Sequence, residues 1–109
     1  MGLTRQEKLR KDIKDDLLIQ LVRNGTGGRC YTDLVDKYMD FWDTEIALIE
    51  DIKQRGVVVA YDNGGGQRGY KKNDSIDQRI KVNAQMLRIL DSLGIKPVGN
   101  YMDGDDYEL

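Results

Sequence analysis

The chain has 109 residues, with 39% apolar and 33% charged side chains and a formal net charge of −2; this balance suits one small globular or assembly-forming domain and not a disordered segment. It contains no histidine and one cysteine, Cys30, which excludes an intrachain disulfide, His-dependent triads and dyads, and most zinc sites. No apolar run approaches the roughly 20 residues that cross a bilayer, and the first residues lack the apolar stretch of a secretory signal, so neither a membrane partner nor export is expected.

Charge is distributed in blocks. Residues 1–29 hold seven cations against four carboxylates, and residues 30–55 hold three against seven. Residues 56–82 are again basic, whereas the last nine residues carry four carboxylates and no cation. In a symmetric oligomer each block would become a charged ring.

Thr4-Arg5-Gln6-Glu7 has the spacing of a capping box and predicts a helix from about Thr4 to Arg23. Leu9, Ile13, Leu17 and Leu21 recur every four residues, widened by Leu18 and Val22, until Asn24-Gly25 ends the pattern. The charged early turns of this helix are expected to project from the packed body. A second helix is predicted from about Thr32 to Gln54. Tyr31, Val35, Tyr38, Trp42, Ile46 and Ile49 share one face, and Leu34, Phe41 and Leu48 fill an adjacent stripe. So wide an apolar surface implies a helix at the centre of a bundle, or one shared with a subunit interface. Gly56 closes it.

Val57-Val58-Val59-Ala60-Tyr61 reads as one short extended strand. The glycines 64–66 then open a connector that reads as irregular through Lys72. Asn73, Asp74 and Ser75 offer caps for a third helix, and Ser75 with Gln78 repeats the capping-box spacing. Its apolar stripe is read as Ile76, Ile80, Ala84 (or Asn83), Leu87, Leu90 and Leu93, with Gly94 ending the helix and Pro97 preventing its resumption. The expected fold is therefore all-α: a helical hairpin or small bundle of about three helices with a Gly-rich connector and a possible short β segment. The segments are 1–29 (basic helix and turn), 30–56 (central oligomerisation helix), 57–74 (Gly-rich basic connector), 75–100 (last helix) and 101–109 (acidic tail).

Few features carry chemistry. Gly64-Gly65-Gly66-Gln67-Arg68-Gly69 satisfies G-x-G-x-x-G, but a dinucleotide site needs a helix opening at the glycines and a parallel sheet, and only 40 residues follow Gly69. Tyr70 stands where a phosphate-binding loop requires lysine, so a flexible connector is the better reading. Asp33, Asp36, Asp40 and Asp43 lie along one strip of the second helix. Di-metal helical sites normally add Glu-x-x-His motifs, which this chain lacks, so the strip reads as a wetted or salt-bridging face. No cofactor, metal site or catalytic residue is expected. Arg68, Lys71 and Lys72 beside Tyr70, and the stripe Arg5, Lys8, Lys11 and Lys14, are candidate phosphate contacts; a solvated loop and a salt-bridged helix are the alternatives.

Three pieces, taken in order, resemble a known family. The second helix carries Leu34-Val35, Tyr38 and Trp42 and ends in Asp51-Ile52-Lys53-Gln54-Arg55-Gly56-Val57-Val58. The connector gives Asn63-Gly64-Gly65-Gly66-Gln67 and Lys72-Asn73, and the last helix ends in Leu93-Gly94-Ile95-Lys96-Pro97. This arrangement, over residues 13–97, resembles the small terminase subunit of tailed bacteriophages and prophages; Asp74 stands where relatives often have proline, and both suit a helix start. The resemblance implies a ring-like homo-oligomer in the cytoplasm of a bacterial host. It would recognise double-stranded viral DNA at packaging initiation and present it to the large terminase subunit, which holds the ATPase and nuclease activities. No catalytic residue carries over, and the family motif does not specify DNA contacts, so those nominated rest on charge. The face Tyr31, Val35, Tyr38, Trp42, Ile46 and Ile49 becomes the candidate oligomer interface, and the acidic tail a candidate docking segment for the large subunit. A helical protein–protein adaptor or phage assembly factor without DNA binding is the alternative.

Overall fold

The computed structural model describes residues 2–95; Pro97 and the acidic tail lie outside them. Among the described residues the order is α1 (Arg5–Arg23), α2 (Arg29–Arg55), β1 (Val58–Asp62), β2 (Arg68–Lys72) and α3 (Asp74–Leu93).

Helix α1 begins as the capping box predicts. The Thr4 hydroxyl accepts from the Glu7 amide at 3.0 Å, and the Thr4 amide donates to Glu7 Oε1 at 2.9 Å. Its first five residues are exposed, Arg10 and Ile13 are half-buried, and full burial starts only in the second half, at Leu17 and Leu21. Helix α2 begins three residues earlier than predicted. Gly28, at φ +108°, makes the cap, and the Thr32 hydroxyl turns back to donate to the Arg29 carbonyl at 3.1 Å instead of capping the helix. Gly56, at φ +85°, closes α2, its amide donating to the Ile52 carbonyl at 2.8 Å.

The all-α expectation needs one correction. The chain is mostly helical, but Arg68–Lys72 is a strand, paired antiparallel with β1 in the register Val58↔Lys72, Ala60↔Tyr70 and Asp62↔Arg68. The turn between them is closed by Asn63 N donating to Gln67 O at 2.8 Å and Gln67 N donating to Gly64 O at 2.9 Å. Glycines 64, 65 and 66 all have positive φ there. Arg-Gly-Tyr-Lys-Lys contains one good strand former, Tyr70, so its extended state comes from the ladder to β1 and not from local preference.

The core is built around α2. Val35, Met39 and Trp42 are buried against Leu17 and Leu21 of α1 and Val82, Met86 and Leu93 of α3, with Tyr31, Leu34, Tyr38, Phe41 and Ile46 packed at its edge. Helix α3 is rotated relative to the predicted stripe. Ser75, Val82, Met86 and Leu93 face inwards, whereas Ile80 and Leu87 are 65% and 58% exposed and Asn83 and Ala84 are also outside. Of the predicted stripe, Leu93 is buried, Leu90 packs at the core edge and Ile76 is half-buried. Gly94 ends α3 in the left-handed conformation, as expected, and Ile95 N donates to Leu90 O at 3.0 Å.

Candidate functional site

Where α2, the hairpin and α3 meet, one buried asparagine joins all three. Asn73 is 0% exposed. Its side-chain nitrogen donates to the Gly56 carbonyl at 2.9 Å and to Asp51 Oδ2 at 3.1 Å. Its side-chain oxygen accepts from the Ser75 amide at 2.9 Å, which makes it the N-cap of α3, and from Arg55 Nη2 at 3.1 Å. Its backbone amide donates to the Val57 carbonyl at 2.7 Å. Asp51 also accepts a two-pronged bond from Arg55, at 2.7 and 2.9 Å, and a 2.6 Å bond from the Ser75 hydroxyl. Arg55 first, then Ser75, hold the Asp51 carboxyl well below the usual carboxylate range, against partial desolvation.

Sequence reading offered Asn73 as one of three caps for the third helix, and it is the cap; the links to Asp51, Arg55 and Gly56 had no place in that reading. The accessible signal was the Asp51–Arg55 spacing, i to i+4, just before the helix-ending Gly56, followed by an Asn-Asp-Ser helix start. It also corrects the expected Ser75–Gln78 capping box. Asn73 is the cap, and Ser75 lies inside α3 with its hydroxyl turned to Asp51.

The nominated cations fall into two groups. Arg5 and Lys8 sit on the exposed first turns of α1 and make no ion pair among the described residues. The other five are engaged. Lys11 pairs with Asp15 at 2.7 Å, Lys14 with Asp36 at 3.2 Å, Arg68 with Asp62 at 3.4 Å, Lys71 with Asp74 at 3.6 Å and Lys72 with Asp77 at 3.0 Å. Within β2, Arg68 and Lys72 share one face with Tyr70, which is 79% exposed, while Lys71 points to the other. On that second face the Tyr61 ring lies over Gly69, where a Cβ would come within 2.9 Å of the Tyr61 hydroxyl.

The aspartate strip of α2 acts as a seam to α1. Asp43 accepts a two-pronged bond from Arg10 at 2.7 and 3.0 Å, and Asp36 takes Lys14. Asp33 pairs with Lys37 of its own helix. Because Arg10 lies beside Asp43 and Lys14 beside Asp36, α1 runs antiparallel to α2, and its basic start points towards the hairpin end. Among the described residues no group of His, Cys, Asp or Glu side chains could hold a metal ion, and no helix is long and apolar enough to cross a membrane.

The nominated oligomer face is divided as well. Val35 and Trp42 lie inside the chain's own core, while Tyr31, Tyr38, Ile46 and Ile49 are half-buried. Exposed apolar surface lies elsewhere. Ile80 and Leu87 stand out from α3, and a shallow groove between α2 and α3 is lined by Ile52, Ile76 and Ile80 with the Arg79–Glu45 pair at 3.6 Å.

Among the described residues the chain is three helices with a hairpin rooted between the last two, and it leaves apolar and charged strips exposed. The family model described as phage terminase, small subunit, matches residues 11–100, and the chain belongs to that family. Membership ties it to phage DNA packaging. No curated protein and no solved structure matches the chain.

Proposed function

We propose that the chain is a non-catalytic subunit of a homo-oligomer that binds double-stranded phage DNA at packaging initiation and recruits the large terminase subunit, in the cytoplasm of the bacterial host. The observation that carries this reading is the family match over residues 11–100. Two structural features support it. The stripe Ile76, Ile80 and Leu87 is an apolar surface that another copy can cover, better suited to that role than the α2 face whose Val35 and Trp42 are spent internally. Arg5 and Lys8, which make no ion pair among the described residues, lie on the exposed first turns of α1, which point towards the hairpin end of α2.

One observation favours a protein-only adaptor instead: five of the seven nominated cations already have carboxylate partners. Duplex titration across a salt series separates the two. A phosphate-contacting oligomer loses affinity steeply as salt rises, and its native mass is a multiple of 12.5 kDa. A monomer that binds no duplex at low salt would overturn the DNA-packaging oligomer, and capture of the large subunit by such a protein would support the adaptor.

A further inference from the structure

We infer that the outer face of α3, carrying Gln78, Lys81, Gln85 and Arg88, is a contact surface for double-stranded DNA; this rests on the DNA-binding reading above and assigns it a site. The four residues are spaced i, i+3, i+7 and i+10, so they line one strip of the helix, and all four are exposed. Neither Lys81 nor Arg88 makes an ion pair among the described residues, in contrast to Lys11, Lys14 and the three cations of β2. A cation with no carboxylate partner binds phosphate without first breaking a bond.

Three further observations point the same way. The carboxylates at the start of this face, Asp74 and Asp77, are held by Lys71 and Lys72. The hairpin thus neutralises the charge that would repel a phosphate backbone. Asp91 is the next carboxylate along α3, beyond the strip. Secondly, the two cations alternate with two glutamines, whose amides offer the paired donor and acceptor that matches a base edge, while Lys and Arg reach guanine edges or phosphates. Thirdly, Ile80 and Leu87 lie about 100° round the helix from Lys81 and Arg88. A second copy seated on that apolar stripe therefore leaves the cationic strip open. From Gln78 to Arg88 the strip runs about 15 Å, four or five base-pair steps of a major groove about 12 Å wide, which admits one helix.

The test is a salt series of fluorescence anisotropy on the full chain with a random-sequence duplex of about 30 base pairs, starting near 50 mM salt. Lys81→Gln and Arg88→Gln should each weaken binding several-fold and lower the slope of log affinity against log salt by about 1. Lys37→Gln, which removes an exposed cation of α2 already paired with Asp33 and nowhere nominated for DNA, should leave the slope unchanged. Far-UV circular dichroism and native mass should match the parent for all three, since each residue is exposed. If the parent binds duplex and Lys81→Gln and Arg88→Gln both retain its slope, the α3 face is not the site, while the DNA-binding reading stands. If the parent binds no duplex at low salt, both fall.

Discussion

Asn73 shows how much one polar side chain organises here. With no exposed surface it must satisfy its amide internally, and it does so by joining the last turn of α2, the base of the hairpin and the first turn of α3. Asn73→Ala removes those bonds and leaves the Gly56 carbonyl and the Ser75 amide without their partner, so a loss of about 2–3 kcal/mol is expected in urea unfolding. Asn63→Ala, in the exposed turn, should stay within about 0.5 kcal/mol. Asp51 supplies the pH dependence. Its folded titration lies below the ordinary value of 3.8, so folding favours the ionised form. That contribution is fully present above the unfolded value and is lost as pH falls towards the folded one. Stability should therefore decline below about pH 4, and Asp51→Asn should be less stable at neutral pH yet show a flatter decline on acidification.

At the scale of elements, what was legible followed from strictly local chemistry. The Thr4–Glu7 box, the Gly56 and Gly94 stops and the 3.6-residue spacing of α2 each depend on neighbours a few positions away. What was not legible depended on contacts from outside the element. β2 is a strand because β1 pairs with it. α3 has two apolar stripes, and periodicity cannot say which one α2 covers. In the fold Ser75 faces inwards to Asp51 on the same side as the buried Val82 and Met86, while Ile80 and Leu87 lie outside. The nominated cations illustrate the same limit, since the carboxylates that engage Lys14 and Lys72 lie on other elements. The packing implies a clear contrast in thermal melts and urea titrations. Met39→Ala, at the centre of the core, should cost about 2–5 kcal/mol. Thr4→Ala, on the projecting turns of α1, should cost about 1 kcal/mol and show as faster amide exchange confined to the start of that helix.

The whole chain has a slender core and several uncovered apolar side chains, and on the oligomeric reading proposed above copies of itself would supply the missing burial. Replacing both Ile80 and Leu87 with Glu should reduce the native mass measured by light scattering, without the loss of helix that Trp42→Ala would bring. The parent's melting temperature should rise with protein concentration, whereas that of the double variant should not. A melting temperature independent of concentration in the parent would remove the α3 stripe as an interface.

The asparagine node has one more consequence, for engineering. Because it completes the end of α2 and the start of α3 with bonds that involve no residue between Val58 and Lys72, it acts as a socket into which the hairpin is plugged. Hairpins of other lengths or sequences could be grafted between Val57 and Asn73 with the helical frame retained, and an epitope or fluorophore-binding tag could be inserted at the glycine turn without disturbing the core.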